Sequence, residues 1–576
     1  MPPTRNAAPD TGGGIPAWTV AAVLVVLHLA LALGAYDPSP YVGGDNATYL
    51  ALAHSLLERG TFVELWDPAM RPQALYPPLF PAVLALGMWA GLRTYVTLKF
   101  VVMGFSALGV LASYLWMRRA GGPRLALVGG LWLAIGPGLL NLTHWVLSDV
   151  PFWAFTTLAI WAFAHVPWKD AADADGGDGT RRRLAWIAAG AAATAAASLT
   201  RSAGLPLMLG AAVWLVMRRD WRGLLVYAAI AYPPWGLWTH RGSQAGATGA
   251  ATAVFPWQVD PYRPELGTVT GAAFLRRIVD NTVQYAAHHV PTLLTGEWTG
   301  RTAAIVGSVV GLLALVGWAR RLRAPGVVEV WIPIYLGLIL AWPQNWSGER
   351  LILPVLPMLV LYALDSAAAL ARGVGARMPA RVRGHTSAPV WAMGAACAGV
   401  LLLAVPGAVR EVRTGRECTA RFHAGEKFPC MPGVWRDFFT LGTMVRGRLP
   451  AGAVVIARKP TLWHMESGYR SRVYPFSAQP DTFFRTAREA GAVYVVEDHI
   501  MDLAPLYLHP VLAARPRAFC EVPGMALPRA RLLRITAPSG IVGDSITGEE
   551  NIPRCDGAAR PKSSRRGRLR IGHLAP

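Results

Sequence analysis

Apolar segments of membrane-spanning length recur from residue 16 to residue 408, and a polytopic helical membrane protein is the fold class that accommodates them. They lie at 16–35, 99–117, 125–141, 150–165, 184–200, 203–217, 222–239, 302–319, 328–342, 350–370 and 388–408. A hydrocarbon core about 30 Å thick needs roughly 20 helical residues, so several of these eleven are at the short end. A further apolar run, YPPLFPAVLALGMWAGL at 76–92, carries Pro77, Pro78 and Pro81 at its start. Prolines there make a poor full-length helix, and the run is expected to be re-entrant or interfacial.

The net charge of +21 would also suit a nucleic-acid binder, so the placement of the charges matters. With the N-terminus inside, the cytoplasmic loops are 118–124, 166–183, 218–222, 320–327 and 371–387, and they hold seventeen Lys and Arg. The facing loops 142–149, 201–202 and 343–349 hold Arg201 alone. Positive charge on the cytoplasmic side is what orients membrane helices, so the basicity is largely topological and nucleic acid is not an expected partner. The first span lacks an A-x-A-like end and reads as an anchor in a bacterial inner membrane.

Two external regions interrupt the bundle, 36–98 and 240–301, the second beginning with HRGSQAGATGA, which is flexible by composition. Residues 1–408 form the expected transmembrane domain. Residues 409–555 turn mixed and polar, with strands expected at 453–460 and 491–499 around a helix at 478–490, a small extracytoplasmic α/β domain. Residues 556–576 read as a disordered basic tail. Cys418, Cys430, Cys520 and Cys555 fall in the external domain, which implies an oxidising compartment. Four cysteines allow three pairings, and Cys418–Cys430 closes the shortest loop.

The first external region opens with YVGGDNATYLALAHSLLERG, and its Asp45 supports two readings. Asp is a favoured helix N-cap. The glycines before it allow close approach by another chain or a ligand, and a carboxylate held there is the second reading, a catalytic base. The following helix has Tyr49, Leu50, Leu52, Ala53, Leu56 and Leu57 on one face, suited to lying against the bilayer. Other ionisable residues collect at the same depth: His144 and Asp149, Arg201, and Glu349 with Arg350. Charges near an apolar region are costly and usually line a polar cavity or pair together.

A cavity with acids and arginines suits a phosphorylated lipid. Asp45 would take the proton from an acceptor hydroxyl, and Arg201 and Arg350 would hold the phosphate as its charge grows. Asp149, His144, Glu349, Tyr49 and Tyr76 are candidates for an acceptor, sugar or metal site. Asp45 with Asp149 could hold a divalent ion, although no H-E-x-x-H or C-x-x-C pattern assigns a metal. Trp66 joins Tyr49 and Tyr76 as a candidate sugar-lining or interfacial aromatic, and Glu64 and Asp67 read as solvent-facing.

These stretches resemble the GT-C superfamily, in particular bacterial family-39-like glycosyltransferases related to protein O-mannosyltransferases and lipid A aminoarabinose transferases. The likeness rests on GGDNATYLALAHSLLERG, YPPLFPAVLALGMWAG, SDVPFWAF, LTRSAGLPLML, GERLILPVLPMLVL, RKPTLWHMESGYRSRVYP and GAVYVVEDH. It implies a polyprenyl-phosphate sugar donor, transfer outside the cytoplasm to a lipid, glycan or protein acceptor, and Asp45 as the base. Many mannosyltransferases have Asp-Glu where this chain has Asp45-Asn46, so their substrates do not carry over. A lipid-linked polysaccharide polymerase or ligase and a secondary transporter are the alternatives.

Overall fold

Long apolar stretches fold as helices because only a helix satisfies every backbone polar group within itself where water is absent. The computed structural model describes residues 16–167, 176–245, 255–296, 300–377, 388–536 and 552–555. The expected tail at 556–576 and parts of the basic loops 166–183 and 371–387 lie outside the described residues. A helix lies over each of the eleven apolar segments. Among the described residues five helices are long and apolar enough to cross a membrane: Ala17–Gly34, Tyr95–Gly121, Arg301–Arg321, Glu349–Gly373 and Met393–His423.

The other segments are shorter or broken, and the sequence supplies the reasons. Pro137 divides the third segment into Pro123–Ile135 and Pro137–Leu142. Pro233 and Pro234 lie inside Trp221–Gln244, and Pro333 inside Val327–Ala341. Close helix contacts use small residues, as where Gly109 faces the Trp153 ring: a Cβ there would lie 2.5 Å from the indole. The 76–92 run forms the eleven-residue helix Leu79–Trp89, too short to cross a bilayer alone.

Two expectations for the external regions are corrected. Helix Asp45–Arg59 does not lie open against the bilayer, because residues 46–53 are buried against Leu79–Trp89 and Pro460–Ser467. The helix over the seventh segment continues to Gln244, through the start of the glycine-rich stretch. Arg241 anchors that last turn by donating to the carbonyls of Gln73 at 2.7 Å and Phe62 at 3.0 Å.

Beyond helix Ala388–His423 the chain builds a five-stranded sheet of order β2-β1-β3-β5-β4, comprising β1 Val454–Ile456, β2 Arg470–Arg472, β3 Ala492–Asp498, β4 Phe519–Leu527 and β5 Ala530–Ile535. β1 runs parallel to β2 and β3, linked through helices Pro460–Ser467 and Pro480–Ala490, while β3, β5 and β4 are antiparallel. Alternate residues separate onto two cores. Val455, Val496 and Leu532 join Trp463 and Phe439 on one face, and Ile456, Val495 and Leu533 join Phe483 and Phe519 on the other. The first core also takes in Ala47, which joins the sheet region to the Asp45 helix. Disulfides link Cys418 to Cys430, as the loop length suggested, and Cys520 to Cys555.

Candidate active site

The site is assembled where the chain leaves its first apolar helix. Lys99, buried near the start of Tyr95–Gly121, donates to the carbonyls of Asp37 and Ser39, the latter at 2.6 Å. That fixes the segment leading to Gly43 and Gly44. Gly44 takes φ 100°, a backbone state that glycine adopts without a Cβ clash, and helix Asp45–Arg59 starts at the next residue. From the C-terminal sheet region Lys459 Nζ donates to Gly43 O at 3.1 Å, and Thr461 Oγ1 to Gly44 O at 3.3 Å. Burial pulls the Lys459 ammonium down to about 8, and the neighbouring Arg458 charge pushes the same way.

The cap position belongs to Gly44, so the capping reading of Asp45 is corrected. Asp45 is the first helical residue, and its carboxylate turns to tertiary partners. Tyr76 donates its hydroxyl to Oδ1 at 3.0 Å, and Arg350 Nη1 stands 3.5 Å from Oδ2. Burial and the Asp45 charge hold the Tyr76 hydroxyl well above its ordinary value, so it stays a donor. Arg350 Nη1 also lies 3.7 Å from Asp149 Oδ2, and Arg201 Nη1 donates to Asp149 Oδ1 at 2.5 Å. The result is an alternating chain: Asp45, Arg350, Asp149, Arg201.

Exposure divides these four charges by what they can touch. The side chains of Asp45, Arg350 and Arg201 are 35%, 24% and 22% exposed, and that of Asp149 is 2%. Asp149, a candidate for an acceptor, sugar or metal site, is buried between the two guanidiniums. The divalent ion expected between Asp45 and Asp149 does not suit this arrangement, since the cationic Arg350 guanidinium bridges the two carboxylates. Electrostatic repulsion would have to displace it before a cation could enter.

The remaining candidates divide as follows. Tyr49 and Tyr76 join the site, with rings edge to face at 5.3 Å and the Tyr49 hydroxyl 2.7 Å from Ser148 Oγ. Glu349 turns away to His289, 3.6 Å distant. His144 is buried one layer back against Trp145, whose ring meets Tyr41. Trp66 is buried in a separate cluster with Phe62 and Trp238, and its carbonyl accepts from Ser471 N at 2.7 Å. Asp67 is not solvent-facing, and Glu64 is only partly so. Burial pushes the Glu64 carboxyl up to about 7, and Asp67 is buried with Arg472 at 3.6 Å.

Sequence reasoning missed Tyr41, whose ring lies under the Arg350 guanidinium at 5.5 Å, and also Ser148, Lys99 and Lys459. Lys99 had a readable signal, a lone cation inside TYVTLKFVVMG. Lys459 had none, because its role exists only once the sheet region docks.

The bundle of apolar helices, with paired acids and arginines at one end and a small α/β region over them, has a GT-C-like fold, a likeness of fold at low sequence identity. Among solved structures the chain is similar to ArnT from Cupriavidus metallidurans bound to undecaprenyl phosphate. The TM-score is 0.52 at 17% identity, covering 91% of this chain and 98% of that one. It is also similar to the archaeal oligosaccharyltransferase AglB from Archaeoglobus fulgidus in complex with an inhibitory peptide and a dolichol-phosphate. There the TM-score is 0.54 at 14% identity, with 88% and 72% covered. The sequence matches no family model and no curated protein.

Proposed function

We propose that this chain transfers a sugar from a polyprenyl-phosphate donor to an acceptor hydroxyl, with Asp45 as the base. The observation that carries the reading is the partly exposed Asp45 carboxylate 3.5 Å from an arginine that is itself open to a ligand. Solved neighbours of the same fold hold undecaprenyl phosphate or dolichol-phosphate, which supports a donor of that class.

The acceptor oxygen attacks the anomeric carbon as the bond from that carbon to the phosphate oxygen breaks. The acceptor proton passes to Asp45, and the polyprenyl phosphate leaves with the bonding electrons. Arg350 and Arg201 stabilise the charge that grows on the phosphate, in the planar paired geometry that guanidinium offers. Displacement from the face opposite the leaving group inverts the anomeric centre. A phosphate that draws Arg350 toward itself also takes a cation away from Asp45 and frees the carboxylate to accept the proton. Asp149 keeps both guanidiniums oriented throughout.

In this reading the chain crosses a bacterial inner membrane eleven times, with the N-terminus cytoplasmic, residues 409–555 outside and helix Leu79–Trp89 not crossing. The acceptor is a lipid, glycan or protein hydroxyl. The arrangement also favours turnover that persists in a chelator, because Arg350 already bridges the two acids. Purification in mild detergent followed by mass identification of the bound lipid tests the reading. A polyprenyl-phosphate sugar is expected. Its absence, together with solute transport in proteoliposomes, would point to a transporter.

A further inference from the structure

The end of the bundle far from Asp45 holds a second concentration of charge that plays no part in the chemistry above. Helix Ala17–Gly34 leads from this end toward the Asp45 loop, and Tyr95–Gly121 returns from that loop to it. Between the helix ends lies an open cavity of about 870 Å³. Six arginines line it: Arg118, Arg119, Arg320, Arg321, Arg323 and Arg372. Asp365 is the one carboxylate among the described lining residues.

Helix-dipole stabilisation accounts for a basic residue in the last turn of a helix, and Tyr95–Gly121 and Arg301–Arg321 each have such residues. Charge asymmetry across the membrane accounts for further arginines on this side, but neither effect requires six guanidiniums to converge on one cavity. Asp365 is shared between Arg320 and Arg321 at 3.9 Å from each, too long for a tight pair. Arg321 is held in place by the Ala120 carbonyl at 3.1 Å and the Tyr362 ring at 5.1 Å, while its buried Nε has no hydrogen-bond partner. Crowded like charge next to a low-dielectric bilayer is costly unless an anion relieves it. Trp18, Trp161 and Leu115 add apolar and interfacial surface, of the kind a headgroup with attached acyl chains would meet, and His165 adds an imidazole.

We propose that this cavity binds a phosphate anion, and that a membrane lipid headgroup is its source. Guanidinium recognises phosphate by paired hydrogen bonds, and basic pockets between helix ends at the cytoplasmic boundary are the setting in which anionic headgroups are held. The site is independent of the sugar-transfer reading.

The test uses the full chain in neutral detergent. Wild type and a double variant, Arg323→Gln with Arg372→Gln, are compared by native mass spectrometry after equilibration with phosphatidylglycerol, and by unfolding midpoint with phosphatidylglycerol, phosphatidylcholine or inorganic phosphate at matched ionic strength. Both positions are exposed, so folding is not at risk. The variant is expected to retain roughly thirtyfold less phosphatidylglycerol, at about 1 kcal/mol for each of the two basic residues near an anionic headgroup. Lysine at both positions should restore most of the binding. Arg276→Gln with Arg485→Gln, two exposed arginines elsewhere, should change nothing. Stabilisation by inorganic phosphate equal to that by the lipid would keep the phosphate site and reject the lipid source. Equal lipid retention by wild type and the 323/372 variant, with no phosphate effect, would overturn the proposal.

Discussion

Helix Gly176–Thr200 serves two acid–arginine pairs of opposite character. Arg183, near its start, meets Asp220 at 3.2 Å, with the two side chains 1% and 6% exposed. Asp220 also caps the next helix, accepting from Gly223 N at 2.9 Å. Arg201, just past the other end and about 27 Å away at 1.5 Å per residue, meets Asp149. There the acid is sealed, the arginine keeps an open face, and the chain of charges runs on through Arg350 to the still more exposed Asp45. A pair closed at both members and tied into a cap holds structure. A pair closed at one member presents the other, fixed in orientation, to whatever enters.

That contrast can be broken most directly through Asp45. Asp45→Asn should lower turnover by about 10²- to 10⁴-fold, the usual worth of a positioned general base, with an unchanged unfolding midpoint. The opposite pattern is expected at the sealed pair. Asp220→Ala leaves Arg183 buried without its carboxylate and should cost about 3–5 kcal/mol of stability, measured by denaturant unfolding, while protein that folds keeps its donor KM. If Asp220→Ala instead spared stability and abolished transfer, the two pairs would have been assigned the wrong way round.

Smaller effects sharpen the same distinction. Arg201→Lys keeps the charge but loses the planar fork, and should raise the donor KM by roughly tenfold with little change in acceptor KM. Lys459→Met removes the tether from the sheet region to the Gly43 carbonyl and should lower kcat by several-fold while leaving the donor KM in place.

A pH slope offers a separate test in the sheet region, in a window shared with Glu64 of the first external region, whose carboxyl burial raises to about the same value. Burial raises the Asp498 carboxyl from 3.8 to about 7. Between those values the folded state holds a proton that the unfolded chain has released, so stability falls as pH rises through that window. Asp498→Asn should reduce the slope in thermal unfolding between pH 4 and pH 7 and leave the share that Glu64 carries. An unaltered slope would show that Asp498 is not the group responsible.

Hydrophobic length made the helical bundle legible, because it follows directly from the cost of polar groups in lipid. Asp45, Arg201 and Arg350 stood out for the same reason: each is a charge at the edge of an apolar run. Asp149 was visible too, but its burial was not, since exposure depends on Tyr49, Arg201 and Arg350 arriving from separate elements. The error over the cap amounts to one residue, set by the positive φ of Gly44. β1 and β3 were legible as apolar runs. β4 was not, because FCEVPGMAL carries Pro523 and Gly524 inside the strand and its pairing with β5 shifts register between Glu521 and Ala526.

The central claim is that Asp45 takes the acceptor proton while the arginines hold the donor, and a single-turnover measurement separates these roles. Wild-type and Asp45→Asn protein, each purified with its bound lipid, would be mixed with acceptor and followed for release of polyprenyl phosphate by mass spectrometry. The account predicts equal donor occupancy in the two proteins and release from the wild type alone. Release from Asp45→Asn at the wild-type rate would contradict it.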